Sequence, residues 1–196
     1  DQVLGDNYYH TLSRDLLVRL IKEDTTSPII YLLGISGLRE YASQSAGICR
    51  EATPRWEKAR LLARQAEPLI PAARRNFFQS HVLTQLAIHQ YSNRMLMNVA
   101  DAALADSPAD KLVKLDAAIN DIQSVLDAFR AAEYGQWAGF YRGDLFVNVR
   151  HTLALVQAYR GKLQRKDLPP DLRIALRPED PYGVIKAYQG KQRVQF

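Results

Sequence analysis

"SPADKLVKLDAAINDIQSVLDAFR", residues 107–130, decides the fold. Leu112, Leu115, Ile119, Ile122, Leu126 and Phe129 recur alternately three and four apart, which lays one apolar seam of heptad period along a helix. Ser107 followed by Pro108 reads as an N-cap and first helical position. A hydroxyl accepts a free N–H there, and the N–H that proline lacks would have been unpaired anyway. Upstream, residues 72–104 form the longest periodic segment, and the polar "ADSPAD" ends it. Two long helices joined by so short a loop make an antiparallel hairpin.

Working outward, residues 6–23 predict a first helix with Tyr9, Leu12, Leu16, Leu17 and Leu20 on one side. "DTTSP" then stops it, and Ser27 with Pro28 predicts a second helix running to about Arg50. Gly34, Gly37, Ala42, Ser45, Ala46 and Gly47 give that helix a small-residue surface. Glycine costs a helix about 1 kcal/mol relative to Ala, so close approach by another helix, or a kink near Gly34, is expected. "TPRWEKARLLARQAEPLIP" repeats the start signal, with Thr53 as cap, Pro54 in the first turn and Glu57 complementing the helix dipole. Pro68 and Pro71 end that helix, and residues 145–163 predict the last one. Alternation of strand type is confined to a short stretch near the C-terminus. The fold class is therefore all-α: an antiparallel multi-helix bundle with a long helical hairpin and an extended C-terminal tail. The bundle domain covers residues 1–165, and a basic, proline-containing tail covers 166–196.

Composition narrows the function. Hydrophobic residues make up 47% of the 196 and charged residues 24%, ordinary globular usage that allows a sizeable core. From Gln157 onward there are nine Lys/Arg and four Asp/Glu, which leaves 17 of each sign before it out of totals of 26 and 21. A neutral body with a basic tail argues against nucleic acid as a partner, since such a domain carries its basic stripe on the folded face. The longest apolar run, "PIIYLLGISGL", is about half of what spans a bilayer, so no membrane insertion is expected and the chain reads as soluble. Cys49 is the single cysteine and is expected to pack as a small apolar residue. The chain starts at Asp1 without Met, as a processed protein or a piece of a longer one would.

Most catalytic patterns are missing. "GISGL" puts a glycine one position early for a serine-hydrolase elbow and inside a predicted helix. There is no phosphate loop, dinucleotide fingerprint, HExxH helix or Glu-x-x-His pair, so no catalytic residue, metal ligand or cofactor is assigned. His81, Gln85 and His89 step along one helix four apart, with Asn93 next. Eight residues at 1.5 Å rise separate the two histidines by about 12 Å, too far to chelate one metal. That stripe either lines a groove or hydrogen-bonds inside the bundle. Glu133 and Asp144 bracket "EYGQWAGFYRGD", and Asp144 is the expected N-cap of the last helix. Within that stretch Trp137, Phe140 and Tyr141 either stack on a sugar or partner, or plug the bundle end beneath a glycine turn.

The order "RRNFFQSHVLTQLAIHQYSNRML", helical hairpin, "EYGQWAGFYRGD" and closing helix, over residues 72–160, resembles helical C-terminal regions of large multidomain bacterial glycoside hydrolases. The resemblance implies a non-catalytic accessory domain of a carbohydrate-active enzyme, secreted or periplasmic, with glycan and the catalytic domain of the same parent protein as partners. Trp137, Phe140, Tyr141, His81, Gln85 and His89 are then the candidate contact residues. The alternative is a self-contained, cytoplasmic helical module for protein–protein interaction, using the Gly34/Gly37 face or the aromatic turn. An enzyme acting alone ranks below both, because no nucleophile or acid–base pair stands out. Oligomeric state carries no signal in the sequence.

Overall fold

The computed structural model describes residues 2–23, 34–143 and 148–164, with the side chains of 2–7, 136, 142 and 143 excepted. Five helices account for most of it: α1 (Gln2–Lys22), α2 (Leu38–Ala66), α3 (Thr84–Leu104), α4 (Pro108–Ala132) and α5 (Val149–Leu163). No strand occurs among the described residues. The bundle is all-α. The tail from residue 166, and the short strand expected in it, lie outside the described residues.

The α3–α4 hairpin forms as its pattern requires. Ser107 Oγ accepts the Asp110 backbone N–H at 3.0 Å, and Pro108 opens α4. Leu115, Ile122, Leu126 and Phe129 are buried on its seam, while Leu112 and Ile119 are half-buried at its margin. Asn98 of α3 donates to Asp121 of α4 at 2.9 Å, and Lys114 reaches Asp101 at 3.5 Å, which fixes the two as antiparallel. Directions then alternate along the chain. In α2 and α3, Arg50 pairs with Asp101 at 2.9 Å and Trp56 stacks on His89, so those two also run antiparallel. In space, however, α1 lies parallel to α5. His10 meets Thr152 near one end, and Lys162 Nζ donates to the Ile21 carbonyl at 2.8 Å near the other. That ammonium reaches a carbonyl in the last turn of α1, where a cation also complements the helix dipole.

The core fills between these elements with Leu16, Leu17, Met95, Leu96, Val99, Leu115, Ile122 and Leu155, all fully buried. Cys49 packs there too, and burial pushes its thiol up to about 12, away from reactivity.

Three expectations are corrected. First, Thr53 and Pro54 do not start a helix, because α2 continues through them with Pro54 in its interior. Thr53 Oγ1 instead donates back to the Cys49 carbonyl at 2.9 Å, and Asn93 Nδ2 of α3 donates to the same oxygen at 2.9 Å. These bonds tie α2 to α3 one turn before the proline, whose own missing N–H would have reached the Arg50 carbonyl. Second, the glycines do not mark a close helix approach. A Cβ at Gly34, Gly37 or Gly47 would meet nothing within 4 Å, and the packed small residues are Ala42, Ser45, Ala46 and Cys49. The helix expected to run from Ser27 to about Arg50 is interrupted instead: Gly34 sits in a turn at φ +65°, residues 35–37 are not helical, and α2 opens at Leu38, while Ser27 and Pro28 lie outside the described residues. Third, α5 begins at Val149, and its N-cap is Asn148, whose side chain accepts the His151 N–H at 3.2 Å. Asn148 sits at φ 43°, a left-handed conformation that asparagine tolerates better than most residues. Asp144 lies outside the described residues.

Candidate functional site: an aromatic cleft at one end of the bundle

Between the 3₁₀ turn at Ala72–Arg74 and α3, the chain forms one α-turn, Arg75–Phe78, and then a π-turn, Gln79–Leu83. A π-turn closes its hydrogen bonds from i to i+5 and so takes an extra residue, and such turns are frequent at functional sites. This one presents Ser80 and His81. His81 stacks face to face on Phe77, with centroids 4.2 Å apart and planes 11° from parallel. Its Nδ1 lies 2.7 Å from Ser80 Oγ and 3.3 Å from the Phe77 carbonyl, which holds the ring in place and leaves Nε2 without a contact among the described residues.

Opposite stands the aromatic turn after α4. Gly135 at φ +49° and Gly139 at φ +77° supply the left-handed backbone that lets two short 3₁₀ turns, Gly135–Trp137 and Phe140–Gly143, follow one another. Glu133 steadies them by accepting the Tyr141 N–H at 3.3 Å. Tyr141 is stacked 4.3 Å above the buried Phe129, so this ring does plug the bundle end. Phe140 stands edge-on to Tyr141 at 5.1 Å, and Trp137 stands edge-on to Phe140 at 5.5 Å. Those outer two are not plugs, since Trp137 is 41% exposed and Phe140 62%.

The two stretches enclose a cleft of about 250 Å³, lined by Ser80, His81, Gln85, Ala132, Trp137, Phe140 and Tyr141. No protein-family model, curated protein or solved structure matches the chain. What the cleft does must therefore be argued from its own chemistry. Its lining joins apolar ring faces to a hydroxyl, an imidazole and an amide. Among the described residues, no carboxylate and no Lys or Arg lines it. It can hold a flat or ring-shaped ligand by its apolar face and meet hydroxyl groups at the rim.

Five of the six residues singled out from sequence thus line one cleft. His89 does not, which corrects the single-stripe reading. It stacks on Trp56 of α2, centroids 4.7 Å apart and planes 5° from parallel. Asn93, the next residue in that stripe, is buried between helices. Ser80 and the Phe77 buttress escaped the sequence reading, although the four-residue spacing of Phe77 and His81 was a readable signal.

The other histidine with a serine partner is not a nucleophile activator. His10 is fully buried, with Nδ1 3.0 Å from Thr152 Oγ1 and Nε2 3.1 Å from Ser92 Oγ. Arg14 donates to Thr152 Oγ1 at 3.3 Å, and these distances are compatible with a chain of donation from Arg14 through Thr152 and His10 to Ser92. His10, Ser92 and Thr152 are all fully buried, which keeps the serine from any substrate. Burial, with the Arg14 charge, lowers His10 to about 3, and the ring is neutral at physiological pH. Among the described residues no group of three His, Cys, Asp or Glu could hold a metal ion, and no helix is long and apolar enough to cross a membrane.

Proposed function

We propose that this chain is a non-catalytic helical accessory domain of a carbohydrate-active enzyme, and that the cleft between His81 and Trp137 contacts glycan. One observation carries the reading. The two stretches on which the glycoside-hydrolase resemblance rests, residues 74–96 and 133–144, contribute Ser80, His81 and Gln85 from the first and Trp137, Phe140 and Tyr141 from the second to one cleft. Aromatic faces suit the apolar faces of sugar rings, while Ser80, His81 and Gln85 suit their hydroxyls. At about 250 Å³ the cleft lies just below the usual range for ligand pockets, which fits one sugar ring rather than a long chain.

Calorimetric titration of the wild type and of Trp137→Ala against a glycan panel tests this, with melting curves in parallel. Binding by the wild type, weakened about two- to tenfold in the variant, supports the reading, since losing one aromatic contact costs about 0.5–1.5 kcal/mol. Trp137 is exposed enough for its removal to leave the melting temperature nearly unchanged. Failure of every glycan to bind the wild type removes the reading. The alternative, a helical protein–protein interaction module, then gains ground. It is favoured by Leu61, Leu62 and Leu69 toward the end of α2, which are 58%, 55% and 81% exposed.

A further inference from the structure

A second concavity of about 270 Å³ lies over α3 between α2 and α4, lined by different residues. Arg60 and Arg64 come from α2, Tyr91 and Thr84 form part of the floor, and Ser124 and Asp127 come from α4. Arg60 is the unusual member. Its Nη1 donates to Gln90 Oε1 at 3.0 Å and to the Tyr91 hydroxyl at 2.5 Å, and its guanidinium carbon sits 4.7 Å from the Tyr91 ring centroid. All three partners are uncharged. No carboxylate among the described residues pairs with it, although the charges around it are matched. Arg64 pairs with Glu67 at 2.9 Å, Asp127 with Arg130 at 2.5 Å, and Arg94 with Asp121 at 3.2 Å.

A guanidinium held by neutral oxygens and an aromatic ring keeps its full charge and has Nε and Nη2 to spare, since five N–H groups are available and only Nη1 is engaged. The Tyr91 hydroxyl, accepting from Arg60, keeps its own hydrogen to give. Donors from both side chains therefore meet at the edge of one groove. We propose that this groove binds a small organic carboxylate, the carboxylate taking the Arg60 fork and the Tyr91 hydroxyl and the apolar body resting on Leu83, Ala87 and Ala128. A planar carboxylate matches a guanidinium fork through two parallel hydrogen bonds. Asp127 on the opposite wall selects a monoanion, because a dianionic phosphate doubles the repulsion from that carboxylate. The groove volume limits the ligand to a compact acid.

The test is titration of the intact chain with glucuronate and with benzoate, and separately with inorganic phosphate, followed by backbone amide NMR shifts and by melting temperature. Either carboxylate should shift amides around residues 60, 84, 91 and 124–128 and raise the melting temperature with concentration. Arg60→Gln should weaken binding about tenfold or more, as loss of charge-assisted hydrogen bonds does. Arg60→Lys should recover only part of it, because an ammonium keeps the charge without the fork. Asp127→Asn should tighten binding and narrow the preference over phosphate. Asp127 lies on the exposed side of α4, so that variant stays informative even if Arg60 variants fold poorly. Absence of carboxylate-dependent shifts, tighter binding of phosphate than of either acid, or binding indifferent to Asp127→Asn overturns the proposal.

Discussion

Replacing Asp121 by Asn should change how stability depends on pH more than how large it is. Asp121 is almost completely buried in α4, where Asn98 Nδ2 donates to it at 2.9 Å and Arg94 Nε pairs with it at 3.2 Å. Burial raises its carboxyl from 3.8 to about 6, against the opposing pull of Arg94 and Asn98. A carboxyl whose folded value exceeds its unfolded one favours folding below the unfolded value, and loses that contribution as pH rises to the folded value. At about 1.4 kcal/mol per pH unit, Asp121 withdraws on the order of 2–3 kcal/mol between pH 4 and 6. His10 does the opposite. Its folded value of about 3 lies below the ordinary 6.5, so its contribution is complete above pH 6.5 and lost as pH falls toward 3. Between about pH 4 and 6 the two contributions have opposite sign, so each masks part of the other in the wild type. Asp121→Asn keeps an oxygen for Asn98 and frees the partly exposed Arg94 to turn toward water, a cost that is constant with pH. Denaturant unfolding at half-unit steps should therefore show the variant gaining about 1.4 kcal/mol per pH unit relative to wild type from pH 4 to 6, then levelling off. A difference between the two proteins that stays constant across pH 4–7 refutes the argument and puts Asp121 in contact with water.

Ile122→Ala should lower unfolding free energy by about 2–5 kcal/mol, because a fully buried branched side chain leaves a cavity between α3 and α4. An unchanged denaturant midpoint would remove that seam from the core. Pro54→Ala should raise stability by about 1–2 kcal/mol, since proline in a helix interior costs about 3 and its stiffening of the unfolded chain returns part of that. A variant no more stable than wild type would mean that α2 accommodates the proline without net cost.

The seam of α4 was readable because an amphipathic helix repeats its apolar positions wherever the core lies, and Ser107–Pro108 announces its start by a local bond. Local signals misled where the deciding contact came from elsewhere in the fold. "TP" at 53–54 has the chemistry of a helix start, but α2 runs through it, packed on α3, where Asn93 bonds both the Cys49 carbonyl and the Thr53 hydroxyl. Asp144 and Asn148 are both good caps, and sequence alone ranks the acid no lower than the amide. The same limit applies to the site. Trp137, Phe140 and Tyr141 stood out as rings among glycines, but which ring packs inward is set by Phe129 from α4. Arg60 gave no signal at all, because what distinguishes it is that its partners in space, Gln90 and Tyr91, are neutral and that no carboxylate among the described residues pairs with it.

His81, Gln85 and His89 separate for a reason that no propensity encodes. On an ideal helix two steps of four residues already overshoot two turns by roughly 80°, so the stripe drifts toward α2 even without distortion. The π-turn at Gln79–Leu83 adds a residue just before α3 and swings whatever precedes it further round. That turn is tied to α4, since Gln79 Nε2 donates to Thr84 Oγ1 at 3.2 Å and Thr84 Oγ1 donates to the Ala128 carbonyl at 3.3 Å. Gln79 lines the Arg60 groove while Ser80 and His81, its neighbours in the same turn, line the aromatic cleft. An α-helical turn places successive residues about 100° apart, so one ordinary turn would aim these side chains differently at both sites. The turn thus contributes a polar side chain to each concavity, Gln79 to one and Ser80 with His81 to the other, and the Thr84 hydrogen bonds to Gln79 and to α4 tie it in place.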